Sequence, residues 1–211
     1  MKKISKVTKV ILINDLFIAL GWGLIAPVMA IFIVGNIKGG NAEVAGIATG
    51  VYWIAKSILQ VPIGRWLDKN RGEKDDFWCL VLGTLLGAAA PIGMFYSTLP
   101  WHLYFWEFFI AITMAMVIPS WGGIFIRHIR KGQEGFWFGL DSAAIGIGAG
   151  VAGILGGIIA EMFGFAYLFW GVALFQVASG ALLFLIKNDL YPPSKVVEMI
   201  SKDDGRKRVL P

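Results

Sequence analysis

Asp15, Lys56 and Glu107 are charged residues that stand inside long apolar stretches of the sequence. If those stretches cross a membrane, each charge near the bilayer centre costs about 2.5–3.5 kcal/mol, so such side chains usually face a cavity or a charged partner. A carboxylate in a cavity can bind a proton or a cationic molecule. Trp22 lies seven residues after Asp15 on the same helical face, and we predict that these four residues line a pathway for a substrate or for protons.

Two interpretations are open for each of these residues. Asp15 and Lys56 lie at similar depths in their helices, which predicts an ion pair that either serves the pathway or only holds two helices together. Glu107 lies nearer the other membrane surface, where it either lines the cavity or is wetted by interfacial water. Trp22 and Trp53 either line the pathway or only pack.

The composition indicates a membrane protein. Of the 211 residues, 57% are hydrophobic and 16% are charged, and the mean hydropathy is +0.69. An ordinary soluble domain has about 45–50% apolar and about 25% charged residues, and a soluble fold of this size could not bury the surplus. The single cysteine, Cys79, excludes a disulfide scaffold, and the apolar content excludes a disordered chain.

Six apolar stretches are long enough to cross a bilayer, which takes about 20 helical residues. The predicted spans cover residues 8–34, 44–66, 77–98, 102–126, 136–162 and 165–187. None of them shows the sustained apolar/polar alternation of a strand. We therefore predict an all-α membrane protein with a transmembrane domain over residues 1–190 and a short cytoplasmic tail over residues 191–211.

The positive charges predict the orientation. Seventeen of the 19 lysines and arginines lie at the N-terminus, around the loops between spans 2 and 3 and between spans 4 and 5, or after span 6. By the positive-inside rule both termini are cytoplasmic, in the cell (inner) membrane. The isoelectric point near 9.4 is then a sign of topology, and no nucleic-acid partner is expected. The alternative is a secretory signal ending at Val28-Met29-Ala30, but its apolar run is too long and Asp15 interrupts it.

An internal repeat is predicted between spans 1–3 and spans 4–6. Asp15 precedes Pro27 by twelve residues, and Glu107 precedes Pro119 by the same interval. The sequence GIATGV in span 2 likewise parallels GIGAGV in span 5. Three-helix units in tandem have opposite orientations in the bilayer, which predicts two inverted repeats. The alternative is coincidence, because these residue types are common in membrane helices.

The turn between spans 2 and 3 carries the most specific motif, in which a glycine is followed by an aspartate, a basic residue, a second glycine and further basic residues. Its positions are Gly64, Asp68, Lys69, Arg71, Gly72 and Lys74. The motif resembles the signature loop of the major facilitator superfamily, with one extra residue before the second glycine and acidic residues after it. The resemblance extends over about residues 8–187, through Gly21-Trp22-Gly23 and Pro27 in span 1 and the glycine-rich span 5.

Members of this superfamily have twelve helices in two six-helix halves, and this sequence supplies one half. The resemblance implies that spans 1 and 4 line a central cavity, spans 2 and 5 contact the other half, and spans 3 and 6 face lipid. Glu107 stands where many members have an arginine implicated in proton coupling, and Gly153 where antiporter subgroups have a proline. The resemblance therefore does not extend to proton-coupled antiport.

One half alone would expose its polar cavity wall to hydrocarbon, so we predict a parallel homodimer in which a second copy of the chain covers that wall. Glycines four residues apart allow close packing of helices, and they mark the predicted interface at Gly46, Gly50, Gly146, Gly150, Gly153 and Gly157. The same spacing at Gly83 and Gly87 in span 3 shows that it is weak evidence alone.

The loop aspartate of the resembled family meets the cytoplasmic N-terminus of a helix in the other half. Here that helix is span 5 of the second copy, which begins near Glu134, and Asp68 is predicted to latch the cytoplasmic side closed when the cavity faces outward. In the alternative interpretation, Asp68 only caps a helix in a solvated turn.

The sequence shows no pattern typical of an enzyme, a cofactor site or a metal site. His102 and His128 lie at helix ends on opposite sides, and no phosphate-binding glycine loop is present. We predict a half-size transporter that moves a small molecule, amphipathic or cationic, by secondary or facilitative alternating access. Two alternatives are one half of a split transporter that pairs with a different chain, and a membrane interaction protein that transports nothing.

Overall fold

A computed structural model describes residues 4–69 and 72–207 of the chain, and these residues form helices and no strand. The α-helices are Lys6–Ile25, Met29–Asn36, Ala42–Lys69, Lys74–Gly87, Ala89–Phe95, Pro100–His128, Glu134–Phe163, Phe165–Leu183 and Pro193–Lys207. Two short 3₁₀ helices cover Ala26–Val28 and Phe184–Ile186. The predicted all-α fold class is confirmed.

Six segments are long and apolar enough to cross a membrane, which confirms the predicted number. In chain order, spans 1 to 6 are Lys6–Asn36, Ala42–Lys69, Lys74–Phe95, Pro100–His128, Glu134–Phe163 and Phe165–Ile186. Each has more than 20 residues, enough for a hydrocarbon core of about 30 Å. The tail contains a further helix, Pro193–Lys207, which sequence reasoning did not predict.

The connections between spans use residues with the required backbone freedom. Gly39, Gly132 and Gly164 have φ angles of 74°, 81° and 82°, a conformation that glycine adopts without strain. Gly164 ends span 5 and lets span 6 begin at the next residue. At the N-terminus, the Ser5 side chain caps span 1 by accepting a hydrogen bond from the Thr8 backbone N–H.

The two prolines of the predicted repeat act differently. Pro27 lies in the 3₁₀ turn that interrupts span 1, since proline supplies no N–H for a regular helical hydrogen bond. Pro119 lies inside a helix that runs unbroken from Pro100 to His128. The two three-helix units are therefore similar in layout and different in this detail.

The packing of the spans follows the predicted repeat. Span 1 packs mainly against spans 5 and 6, and span 4 packs mainly against spans 2 and 3. If spans 1, 2 and 3 correspond to spans 4, 5 and 6, the contacts of span 1 correspond to those of span 4. This is the pattern expected of two related three-helix units. Two clusters of buried apolar side chains fill the bundle, one around Phe32 and Phe169 and the other around Phe77 and Phe125.

The start of span 1, the segment after span 6 and the described residues that follow spans 2 and 4 meet at one end of the bundle, here called the basic end. Lys6 pairs with Asp189 at 2.8 Å, and the Thr8 hydroxyl donates to the His128 carbonyl at 3.0 Å. At the opposite end, the Lys38 backbone N–H donates to the Thr98 carbonyl at 2.9 Å and joins the loops after spans 1 and 3.

A fully buried carboxylate, Glu73, ties the basic end together. Its Oε2 atom lies 2.9 Å from His128 Nε2 and accepts a hydrogen bond from the Tyr191 backbone N–H at 2.7 Å. Burial, and after it the Glu73 carboxylate, raises the pKa of the Tyr191 phenol. Beside this group Arg127 pairs with Asp76 at 2.6 Å. Sequence reasoning gave His128 no role and did not anticipate this cluster.

Candidate functional site

Spans 2 and 5 leave one face of the bundle open. Only 17% of the residues in the most apolar part of each are buried, against 44% or more in the other four spans. Pockets with charged side chains lie where these two spans meet spans 1 and 4. The open face and these pockets together form the candidate site.

The first pocket, of about 470 Å³, combines a carboxylate with aromatic rings. Its lining residues are Trp22, Ala26, Thr49, Tyr52, Trp53, Glu107, Ile110 and Met114. Glu107 lies seven residues, about 10 Å, from the start of span 4, and its carboxylate makes no hydrogen bond or ion pair with other described residues. A free carboxylate beside aromatic faces is an arrangement that suits an organic cation. The structure thus brings together two of the predicted pathway residues, Trp22 and Glu107.

Lys56 does not pair with Asp15, and that prediction was wrong. The Lys56 ammonium lies 3.6 Å from the ring centre of Trp53 and 5.1 Å from that of Tyr52, two rings that line the first pocket. The main partner of span 2 is span 4 rather than span 1. Equal depth in the membrane is therefore not enough to bring two side chains together.

The second pocket, of about 280 Å³, contains two aspartates from different spans. It is lined by Asp15, Ile18, Ala19, Trp22, Met114, Val117, Ile118, Trp121, Asp141 and Ile145. Asp15 accepts hydrogen bonds from Trp121 Nε1 at 2.6 Å and from Asn14 Nδ2 at 3.0 Å. Asp141 is only 4% exposed, and its Oδ1 atom is buried without a hydrogen-bond partner in the described structure.

Sequence reasoning missed Asp141 and Trp121. Asp141 stood inside a predicted span and was a visible signal, because an acidic residue at such a position is as costly as Asp15. Trp121 gave no comparable signal, since tryptophans near the ends of spans are common. Trp22 and Met114 line both pockets, so the pockets are neighbours. In the part of the chain that the structure describes, no group of three or more metal-ligating side chains could hold a metal ion.

The signature-loop residues lie at or near the basic end and differ in their surroundings. Asp68, Lys69 and Lys74 are exposed, Gly72 is buried, and Arg71 lies outside the described residues. Gly64 lies within span 2 and faces span 4. Asp68 makes no hydrogen bond or ion pair with other described residues, so none of them fixes its carboxylate.

Five of the six predicted interface glycines lie on open surface. A Cβ atom added at Gly46, Gly50, Gly146, Gly150 or Gly157 would have no contact within 4 Å. Gly153 differs, because a Cβ there would lie 3.3 Å from the ring of Pro27 in span 1. Gly153 therefore packs partly within its own chain, and its place in the interface stays a prediction.

Comparisons with known proteins agree with these features. The family model described as Major Facilitator Superfamily matches residues 11–208. An uncharacterised MFS-type transporter of Methanocaldococcus jannaschii is 29% identical over 191 residues, which cover 90% of this chain and 48% of that protein. A multi-drug resistance efflux pump PmrA homolog of Lactococcus lactis is 24% identical over 197 residues, 90% of this chain and 47% of that protein. The chain spans about half the length of these curated relatives.

Proposed function

The chain belongs to the major facilitator superfamily, and we propose that it is a half-size transporter whose cavity is completed by a second copy of itself. The two copies lie parallel in the cell membrane and rock about a central substrate site that opens alternately to the two sides. The basic end is cytoplasmic, in keeping with the positive-inside rule. Transport is secondary or facilitative.

The open face of spans 2 and 5 is the observation that carries this proposal. If nothing covered that face, the pockets beside it would place the Asp15 and Glu107 carboxylates next to hydrocarbon. Such charges cost about 2.5–3.5 kcal/mol each near the bilayer centre. A second six-helix unit on this face turns the pockets into the walls of a wet cavity. The five open glycines allow its helices to approach closely.

The length of the relatives favours one alternative for the second unit. They are about twice as long as this chain, so a second six-helix polypeptide of different sequence would supply the half that this chain lacks. In that alternative the chain is one half of a split transporter and a different polypeptide covers spans 2 and 5. A membrane interaction protein without transport activity is a further alternative, and the purified chain would then move no substrate in proteoliposomes.

The first pocket supports a cationic, amphipathic substrate. Glu107 supplies a negative charge, and Trp22, Tyr52 and Trp53 supply apolar faces that also attract cations. The Lys56 ammonium already rests on the Trp53 ring, so this aromatic surface accepts a positive group. The Lactococcus relative is named as a homolog of a multi-drug efflux pump, and drugs of that chemistry are the substrates that we propose to test first.

Cysteines at Gly46 and Gly157 should join two copies of the chain. Gly46 lies four residues after the start of span 2, and Gly157 lies six residues before the end of span 5. Both therefore lie about 6–9 Å from the end of the bundle opposite the basic end. The double variant is made in a Cys79→Ser background, reconstituted as purified chain, and treated with a short thiol cross-linker. We expect a covalent dimer on a denaturing gel.

A matched control for this experiment is Leu174→Cys, because Leu174 is 70% exposed on span 6, away from the open face. It should remain monomeric under the same conditions. If the Gly46/Gly157 variant also stays monomeric when purified, and cross-links only to another protein in native membranes, the split-transporter alternative replaces the homodimer.

Asp68 is proposed to latch the cytoplasmic side by meeting the N-terminus of span 5 in the second copy. A carboxylate at a helix N-terminus contributes about 1 kcal/mol, so Asp68→Asn is expected to slow transport about fivefold with the dimer intact. Initial rates in proteoliposomes measure this, with Asp68→Glu as the variant that retains the charge. Equal rates for wild type and Asp68→Asn would remove the latch and leave only a solvated capping residue.

A further inference from the structure

The second pocket holds two carboxyl groups at one level of the membrane. Asp15 lies nine residues from the start of span 1 and Asp141 seven residues from the start of span 5, so both lie about 10–14 Å from the basic end. Both side chains line the same small pocket, so their carboxyl groups are neighbours. Both spans approach closely here, since Gly148 of span 5 meets Leu16 of span 1.

The groups around this pair supply hydrogen bonds and no positive charge. Span 4 contributes the Trp121 N–H and span 6 the Ser179 hydroxyl, which holds the Asn14 amide at 2.5 Å. On span 5 Asp141 itself is the charged residue that faces Asp15. No lysine, arginine or histidine is among the described residues that line this pocket. The nearest cation along span 4, Arg127, is bound to Asp76 at the basic end.

We propose that Asp15 and Asp141 form a proton-binding site that holds one proton between two carboxyl groups. Two ionised carboxylates in one small pocket inside a membrane would repel each other and would both lose hydration, whereas one bound proton removes one charge and supplies an O–H donor. Both Asp15 oxygens accept N–H hydrogen bonds, but Asp141 Oδ1 has no donor and is buried. A proton on the pair supplies the missing hydrogen.

A metal cation fits the same pocket less well than a proton. Hard cations take about six or more oxygen ligands, and the other lining side chains are apolar or tryptophan. The Trp121 and Asn14 N–H groups point at the Asp15 oxygens, which a metal would need as ligands. The site therefore suits a proton better than a metal cation, and it lies where spans 1 and 5 meet.

This inference deepens the proposed transport function and rests on it for its meaning. The pair lies beside the Glu107 pocket, at the contact between span 1 and span 5, so loss of the proton would place two like charges across that contact. Binding and release of one proton per chain would then accompany opening and closing of the cavity. The proton site itself can be tested without any transported substrate.

Infrared spectroscopy of the whole chain in lipid nanodiscs tests the site. At neutral pH we expect a carbonyl band of a protonated carboxylic acid that shifts in heavy water and is lost in both Asp15→Asn and Asp141→Asn. Glu161→Gln is the matched control, because Glu161 is an exposed acid on the same span as Asp141, and it should keep the band. A band that persists in either aspartate variant overturns the shared proton.

The wild-type chain gives a second test that needs no variant. Its melting temperature should fall as the pH rises through the titration of this band, because deprotonation leaves two like charges in one small pocket, and Asp141→Asn should lose this dependence. Replacing choline by sodium at constant ionic strength should change nothing, and a sodium-dependent rise would identify a metal-cation site instead. A chain that shows the band and the pH dependence but moves no substrate would refute the proposed transport function and leave the proton site standing.

Discussion

Replacing Glu107 with glutamine is expected to abolish uptake of a fluorescent lipophilic cation by proteoliposomes that contain the chain. Glu107 is the charged residue that lines the aromatic pocket, and its carboxylate has no partner within the described chain. Removing the charge that faces a buried cation costs about 2–5 kcal/mol, so the binding constant should weaken about thirtyfold or more. Equilibrium binding of the dye and its initial uptake rate measure the loss.

The control for this prediction is Glu43→Gln. Glu43 lies in the first turn of span 2, at the same end of the bundle as Glu107, and its side chain is exposed outside the pocket. It carries the same charge change and should leave uptake and binding unchanged. If Glu107→Gln binds the dye as tightly as wild type, Glu107 is a wetted interfacial carboxylate and the cationic substrate has no basis in this pocket.

Adding a single methyl group at Gly156 is expected to prevent the chain from folding. A Cβ atom there would clash with the carbonyl oxygen of Leu24, a backbone atom that cannot turn aside as a side chain can. Spans 1 and 5 would have to separate, and their contact is one of the largest in the bundle. Overpacking in a core costs about 1–3 kcal/mol when side chains can adjust, and more is expected against backbone. Gly156→Ala should therefore give little monodisperse protein in detergent.

The adjacent glycine supplies the control. Gly157→Ala makes the same chemical change one residue later, where a Cβ atom meets nothing within 4 Å. It should elute as a single peak and melt at the wild-type temperature, as followed by size-exclusion chromatography and thermal unfolding. Equal behaviour of the two variants would mean that spans 1 and 5 do not approach as closely as the structure has them.

The six spans and the all-α fold could be predicted because both depend on the chain's own one-dimensional pattern. Apolar length and the positions of lysines and arginines need no knowledge of which helix lies beside which. The repeat was also readable, since Asp15/Pro27 and Glu107/Pro119 share one interval. These signals are local or periodic, and tertiary packing does not change them.

The side-chain partners could not be predicted, because they depend on which helices are neighbours. Asp15 and Lys56 have similar depths but belong to spans with different main partners. Asp15 therefore accepts a hydrogen bond from Trp121, and the Lys56 ammonium lies over the Trp53 ring. Glycine spacing has the same weakness. Gly153 and Gly157 share a GxxxG pattern, yet Gly153 meets Pro27 in its own chain and Gly157 faces outward. The two glycines lie on nearly the same helix face, and the Pro27 ring beside Gly153 is what distinguishes them.

The hydrogen bond from the Tyr191 backbone N–H to the buried Glu73 side chain makes the segment after span 6 a suitable place for a spectroscopic label. It fixes the polypeptide that leaves span 6 to the start of span 3, and the Val196 side chain of the tail helix is itself 2% exposed. The segment from Tyr191 to Val196 is therefore held against its own bundle. If the proposed dimer forms, spin labels on this segment of the two copies would report any rotation of one copy against the other, with no contribution from a flexible linker.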